Sequence, residues 1–165
     1  MDFIALLQKE MIEEAATTRK MLSRIPPEKF GWQPHPKSGT VQWLASHLAE
    51  LPNWVDMALN TDELDFETSP YKLPNIKNTG ELLDFFEASL KTGREALAAA
   101  DINTFDKGWV LRVGDHILSR RTKYEVIRMA YSQIVHHRAQ LGVYLRLLDI
   151  PIPGSYGPSA DERPF

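Results

Sequence analysis

Apolar residues recur at spacings of three and four from Ile4 through Leu7, Met11, Ala15, Thr18, Leu22 and Ile25. That period predicts an amphipathic helix from about Asp2 to Arg24, with Asp2 placed as its N-cap. Pro26 and Pro27 stop it. After an irregular stretch over residues 28–39, Thr40 is placed to cap a second helix. Its buried side would be Val41, Leu44, Ala45, Leu48, Leu51, Val55 and Leu59. Pro52 lies inside this pattern and lacks the N–H that would bond to Leu48, which predicts a kink or a local break. Residues 60–77 show no strong period and read as a crossover connection. A third helix follows from about Thr79 to Ala100, capped by Asn78 or Thr79, with Leu82, Leu83, Phe86, Leu90, Ala96 and Leu97 inward. Two short apolar runs, 109–113 and 116–118, flank Gly114-Asp115 and predict a hairpin. The fourth helix opens on the capping box Thr122-Lys-Tyr-Glu125 and runs to about Leu148. The tail from Ile150 onward is rich in proline and glycine, and should be extended and irregular.

Four long helices joined by one long crossover predict an all-α fold. The expected form is a single four-helix bundle over residues 1–165. The crossover lies between helices two and three, and the hairpin before helix four is peripheral decoration.

The 165 residues leave room for a real core, and 43% hydrophobic with 25% charged residues fits a soluble globular domain. The net charge is −3, and the densest basic group is only Arg120, Arg121 and Lys123. This argues against a nucleic-acid partner, which calls for a concentrated basic patch. No apolar run approaches the roughly 20 residues that span a bilayer, and the N-terminus lacks a secretory pattern. No membrane partner is expected, and a cytoplasmic location is the default. The absence of cysteine excludes disulfides, thiolate metal sites and a cysteine nucleophile. Any transition-metal site must then use His, carboxylate, amide or water. No G-x-S-x-G elbow, P-loop or G-x-G-x-x-G is present.

The histidines divide by helical phase. His137 follows Ile134 by three and precedes Leu141 by four, so it faces the core from helix four. Gln133 lies one turn earlier on the same face, the spacing at which two side chains can chelate one ion. His136 is rotated away toward Met129 and Val143. His47 follows Leu44 by three and precedes Leu51 by four, so it points inward from helix two. Two readings are open for His47 and His137: hydrogen-bonded core histidines, or ligands of a bundle metal site. Glu50, one turn after His47, is either a solvated helix charge or an added carboxylate. Trp54 falls seven residues after His47 and could wall a pocket above it. His35 and His116 read as loop or surface histidines, and Trp32, Trp43 and Trp109 as core.

Three segments carry a resemblance. Residues 40–54, TVQWLASHLAELPNW, hold a single inward histidine. Residues 136–148, HHRAQLGVYLRLL, follow an H-R-x-Q-x-x-x-Y-L-R pattern. Residues 152–162, IPGSYGPSADE, form the tail. With the helix order and the hairpin around Trp109, the chain resembles the DinB/YfiT-like family over nearly its whole length. The resemblance implies a four-helix bundle, commonly a homodimer, with hydrolase or thiol S-transferase activity on a small molecule. It also implies a divalent metal, nickel or zinc, held by one histidine from helix two and two from helix four at i and i+4. Carried over by position, His47 and His137 are two of these ligands, and Gln133 stands where the other histidine is expected. Glutamine offers a neutral carbonyl oxygen, a weaker donor to zinc or nickel than imidazole nitrogen. Three outcomes are open: Gln133 acts as an oxygen ligand, His136 or Glu50 substitutes, or Gln133 bonds to His137 in a metal-poor binding or stress-response interaction protein. Trp54, Glu50 and Tyr144 are the expected pocket residues.

Overall fold

The first helix, α1, spans Phe3–Leu22, and the Asp2 side chain accepts the Ala5 N–H at its start. The computed structural model describes residues 2–162. Helix α2 spans Val41–Glu50, with the Thr40 side chain accepting the Trp43 N–H. A 3-10 turn over Leu51–Asn53 then carries the chain into α3, Trp54–Asn60. The predicted break at Pro52 is therefore present. Helix α4 spans Thr79–Ala98 and is capped by Asn78. Helix α5 spans Lys123–Leu147, and both halves of its capping box form. Leu7, Met11, Leu44, Leu48, Phe86, Leu97, Ile127, Leu141 and Leu145 meet in one core at 5% exposure or less. Most of these residues lie on the apolar stripes read from the sequence, and their burial removes a large block of apolar surface from water.

The all-α expectation is overturned by a three-stranded mixed sheet beside the helices. Strand β1 is Glu63–Asp65, β2 is Gly108–Val113 and β3 is His116–Thr122, in the order β1-β2-β3. β2 and β3 form the predicted hairpin, with an irregularity between Leu111 and Arg112. β1 comes from the crossover and runs parallel to β2, pairing Glu63 with Val110 and Asp65 with Arg112. Three residues with two acids among them carry no readable period. What makes them a strand lies far away in sequence: Arg112 donates to Glu63 and contacts Asp65 at 2.9 Å, and Asp65 accepts the Glu67 and Gly114 N–H groups.

The break at Pro52 is accommodated by α4. A Cβ at Gly93 would lie 2.1 Å from the Pro52 carbonyl oxygen, so the turn rests directly on the α4 backbone. This close approach keeps α3 at the end of α2 and places Trp54 beside His47, with ring centroids 6.4 Å apart.

Candidate functional site

His47 from α2 and His137 from α5 meet across the bundle, with ring centroids 4.9 Å apart and planes at 71°. Gln133, one turn before His137, inserts its side-chain amide between them. Its Oε1 lies 3.2 Å from His47 Nε2 and 3.3 Å from His137 Nε2. The helical phase that singled out these three residues therefore brings them together at one point.

The other nitrogen of each ring is already engaged. His47 Nδ1 donates to Glu50 Oε1 at 2.6 Å, and His137 Nδ1 donates to Gln140 Oε1 at 2.8 Å. With Nδ1 as the protonated nitrogen, each neutral ring turns an Nε2 lone pair toward Gln133. While both rings are neutral, three lone pairs converge there; protonation of His47 would put a hydrogen on its Nε2, facing Gln133 Oε1. Glu50 is thus an orienting carboxylate for His47, with its side chain only 19% exposed, and not a solvated helix charge.

The two histidines titrate in opposite directions. Burial opposes charge on His47, but the hydrogen bonds to Glu50 and Gln133 and the Glu50 charge outweigh it, raising the pKa above the ordinary imidazole value. Burial lowers the pKa of His137; the Gln140 hydrogen bond only partly opposes this, and the charges of His47 and His136 lower it further. As pH falls, His47 therefore takes up a proton before His137 does.

Aromatic rings enclose His47. Trp43 stacks on it at 5.5 Å and 24°, while Trp54 and Tyr71 meet it edge-on at 6.4 and 6.3 Å. Burial pushes the Tyr71 phenol up to about 12, with the Glu50 charge adding to the shift. Trp54 is where its spacing placed it. Tyr144 stands edge-on against Trp32 at 5.6 Å. His136 is exposed, with its ring 4.9 Å from that of His137. His35 accepts the Lys37 N–H in its loop, and His116 is exposed at the start of β3.

Trp43, Tyr71 and Gln140 are absent from the sequence-derived site. Trp43 stands four residues before His47, the same spacing that marked Gln133 against His137, so helical phase could have found it. Tyr71 sits in the irregular part of the crossover, where no local pattern indicates which way a side chain points.

The donor set suits a borderline divalent ion, with two imidazole nitrogens and one amide oxygen. Donors held about 2.0–2.1 Å from zinc at tetrahedral angles stand roughly 3.3 Å apart. Two edges of this triangle, 3.2 and 3.3 Å, match that spacing. No group of three or more His, Cys, Asp or Glu with metal-binding geometry occurs among the described residues, so a metal here would require the amide oxygen.

A DinB-like protein from Bacillus cereus ATCC 10987 shares the fold with a TM-score of 0.70 at 18% identity, over 91% of this chain and 95% of that one. A DinB-family protein from Exiguobacterium sibiricum 255-15 matches with a TM-score of 0.68 at 24% identity, covering 90% and 93%. A mycothiol-dependent maleylpyruvate isomerase matches at 0.60 and 17% identity, over 84% of this chain and 60% of that one. No curated protein matches the chain. The DinB family model matches residues 2–163, and on that match the chain belongs to the DinB family.

Proposed function

We propose that the protein binds a zinc or nickel ion through His47 Nε2, His137 Nε2 and Gln133 Oε1, and uses it as a metal-dependent hydrolase or thiol transferase on a small molecule. One observation carries this reading: two imidazole lone pairs and an amide oxygen converge while both Nδ1 atoms are committed elsewhere. A cation of this class supplies Lewis-acid activation of a water or a small thiol. The protein's own contribution is orientation. Glu50 holds the Nδ1 proton of His47, which fixes the tautomer and makes Nε2 the better donor. Gln140 does the same for His137 from the exposed side. Three protein donors leave coordination positions free for reactants, as a catalytic site requires. The edges of Trp54 and Tyr71 restrict water around His47. A thiol as the small molecule is suggested by one fold neighbour, the mycothiol-dependent isomerase.

Gln133 also favours a second reading. With its amide turned end for end, the NH2 group offers one hydrogen to each Nε2 and closes the site without a cation. The bundle would then be a metal-poor binding protein.

Metal content separates the two. After incubation with zinc or nickel and removal of free ion, elemental analysis should find about one equivalent bound, falling below about a tenth in His137→Ala. Gln133→His should bind more tightly still, because imidazole replaces a weaker oxygen donor. A parent protein with under about a tenth of an equivalent, unchanged by His137→Ala, contradicts the metal reading. If Gln133→His then gains strong binding, the second reading holds.

A further inference from the structure

We propose that Trp43, packed against both Gly39 and His47, is a positioning residue that sets the ring plane of the His47 imidazole. This deepens the metal-site reading above and takes its functional meaning from it.

One face of the indole lies on His47, with centroids 5.5 Å apart and planes at 24°. The Gly39 backbone also packs against the indole. A Cβ built on Gly39 would stand 2.6 Å from Trp43 Cε3, 3.1 Å from Cδ2 and 3.4 Å from Cζ3, all atoms of the six-membered ring. The stack follows from the local sequence. Trp43 and His47 are at i and i+4 on α2, so their side chains are neighbours. Thr40 caps the helix by accepting the Trp43 N–H, which fixes where Gly39 enters. Core burial does not account for the indole, since Trp43 is 39% exposed.

The hydrogen bond from Nδ1 to Glu50 fixes one atom of the imidazole, and Trp54 and Tyr71 meet the ring only edge-on, so neither sets the plane by a flat contact. The stacked indole does. The hydrogen bond and the stack together aim Nε2 at Gln133 Oε1. A side chain at position 39 would have to push the indole, which is itself stacked on the imidazole. Gly39 is therefore part of the same device, by leaving room for the ring.

The test compares the full-length parent with Trp43→Leu, Trp43→Phe and Gly39→Ala, using nickel ion as the probe and metal-free NMR as the second readout. In the metal-free parent, the His47 ring protons, assigned by their loss in His47→Gln, should lie upfield because of the indole ring current. They should move downfield in Trp43→Leu, stay partly upfield in Trp43→Phe, and shift in Gly39→Ala. Nickel affinity should fall by about tenfold or more in Trp43→Leu and Gly39→Ala. Trp43→Phe, which keeps a flat ring, should restore most of it. Unchanged His47 resonances in Trp43→Leu, or parental nickel affinity in that variant, would overturn the proposal. If the parent binds no nickel, the metal reading fails separately. The ring-proton shifts then decide the stack alone: a downfield move in Trp43→Leu supports it and no move overturns it.

Discussion

At His47 the electrostatics turn on one carboxylate. Burial opposes charge on the ring, but the Glu50 hydrogen bond at 2.6 Å, the Gln133 hydrogen bond and the Glu50 charge together outweigh it. The folded pKa therefore stands above the ordinary value of 6.5. A raised histidine pKa contributes stability that is fully present below the unfolded value and is lost as pH rises through the folded one. Glu50→Gln should move the His47 pKa down, as followed by the NMR titration of its ring protons. It should also cost more stability at pH values under 6.5 than well above neutrality. An unshifted His47 titration would remove Glu50 from the site. Helical phase identified His47, Gln133 and His137 from the sequence alone, because a core-facing stripe constrains direction. It left the role of Glu50 open, because spacing does not distinguish a solvated carboxylate from one turned onto a neighbouring ring.

At the level of elements, the bend between α2 and α3 rests on Gly93. Alanine there would gain about 0.5–1 kcal/mol of helix propensity. Its Cβ, however, would meet backbone at 2.1 Å, and backbone cannot rotate away as a side chain can. Overpacking of this kind costs about 1–3 kcal/mol or more, so the clash wins. Gly93→Ala should lower the urea midpoint, and an unchanged midpoint would show that α3 moves freely. Helix boundaries were legible because each start carries its own chemistry: Asp2, Thr40, Asn78 and Thr122 all cap as expected. Pro52 announced the break by its missing donor. β1 was illegible because its reason for being a strand, the pairing with β2 and the Arg112 ion pairs, is supplied from about 49 residues further along.

Across the whole molecule, one buried ion pair ties three parts of the chain together. Arg138, with its side chain 3% exposed, contacts Glu14 of α1 at 2.6 Å and donates to Thr18 and to the Tyr156 hydroxyl in the tail. It directly follows His137, so it anchors the turn of α5 that carries the candidate ligand. Glu14→Ala would leave a guanidinium buried without its counter-charge, a loss of about 3–5 kcal/mol. Thermal unfolding should show that loss with little dependence on salt, since the pair is shielded from solvent. A change within about 0.5 kcal/mol would mean that the remaining partners suffice. The tail sequence was part of the family resemblance, yet nothing in its local pattern showed that Tyr156 returns to α1. Among the described residues no helix is long and apolar enough to cross a membrane.

If His47, His137 and Gln133 converge to hold a cation, anomalous diffraction from nickel- or zinc-soaked crystals will locate it. A peak at the metal's absorption edge is expected among His47 Nε2, His137 Nε2 and Gln133 Oε1, absent from His137→Ala crystals. A map with no peak there, and the Gln133 amide nitrogen lying between the two rings, would contradict a metal site at these residues.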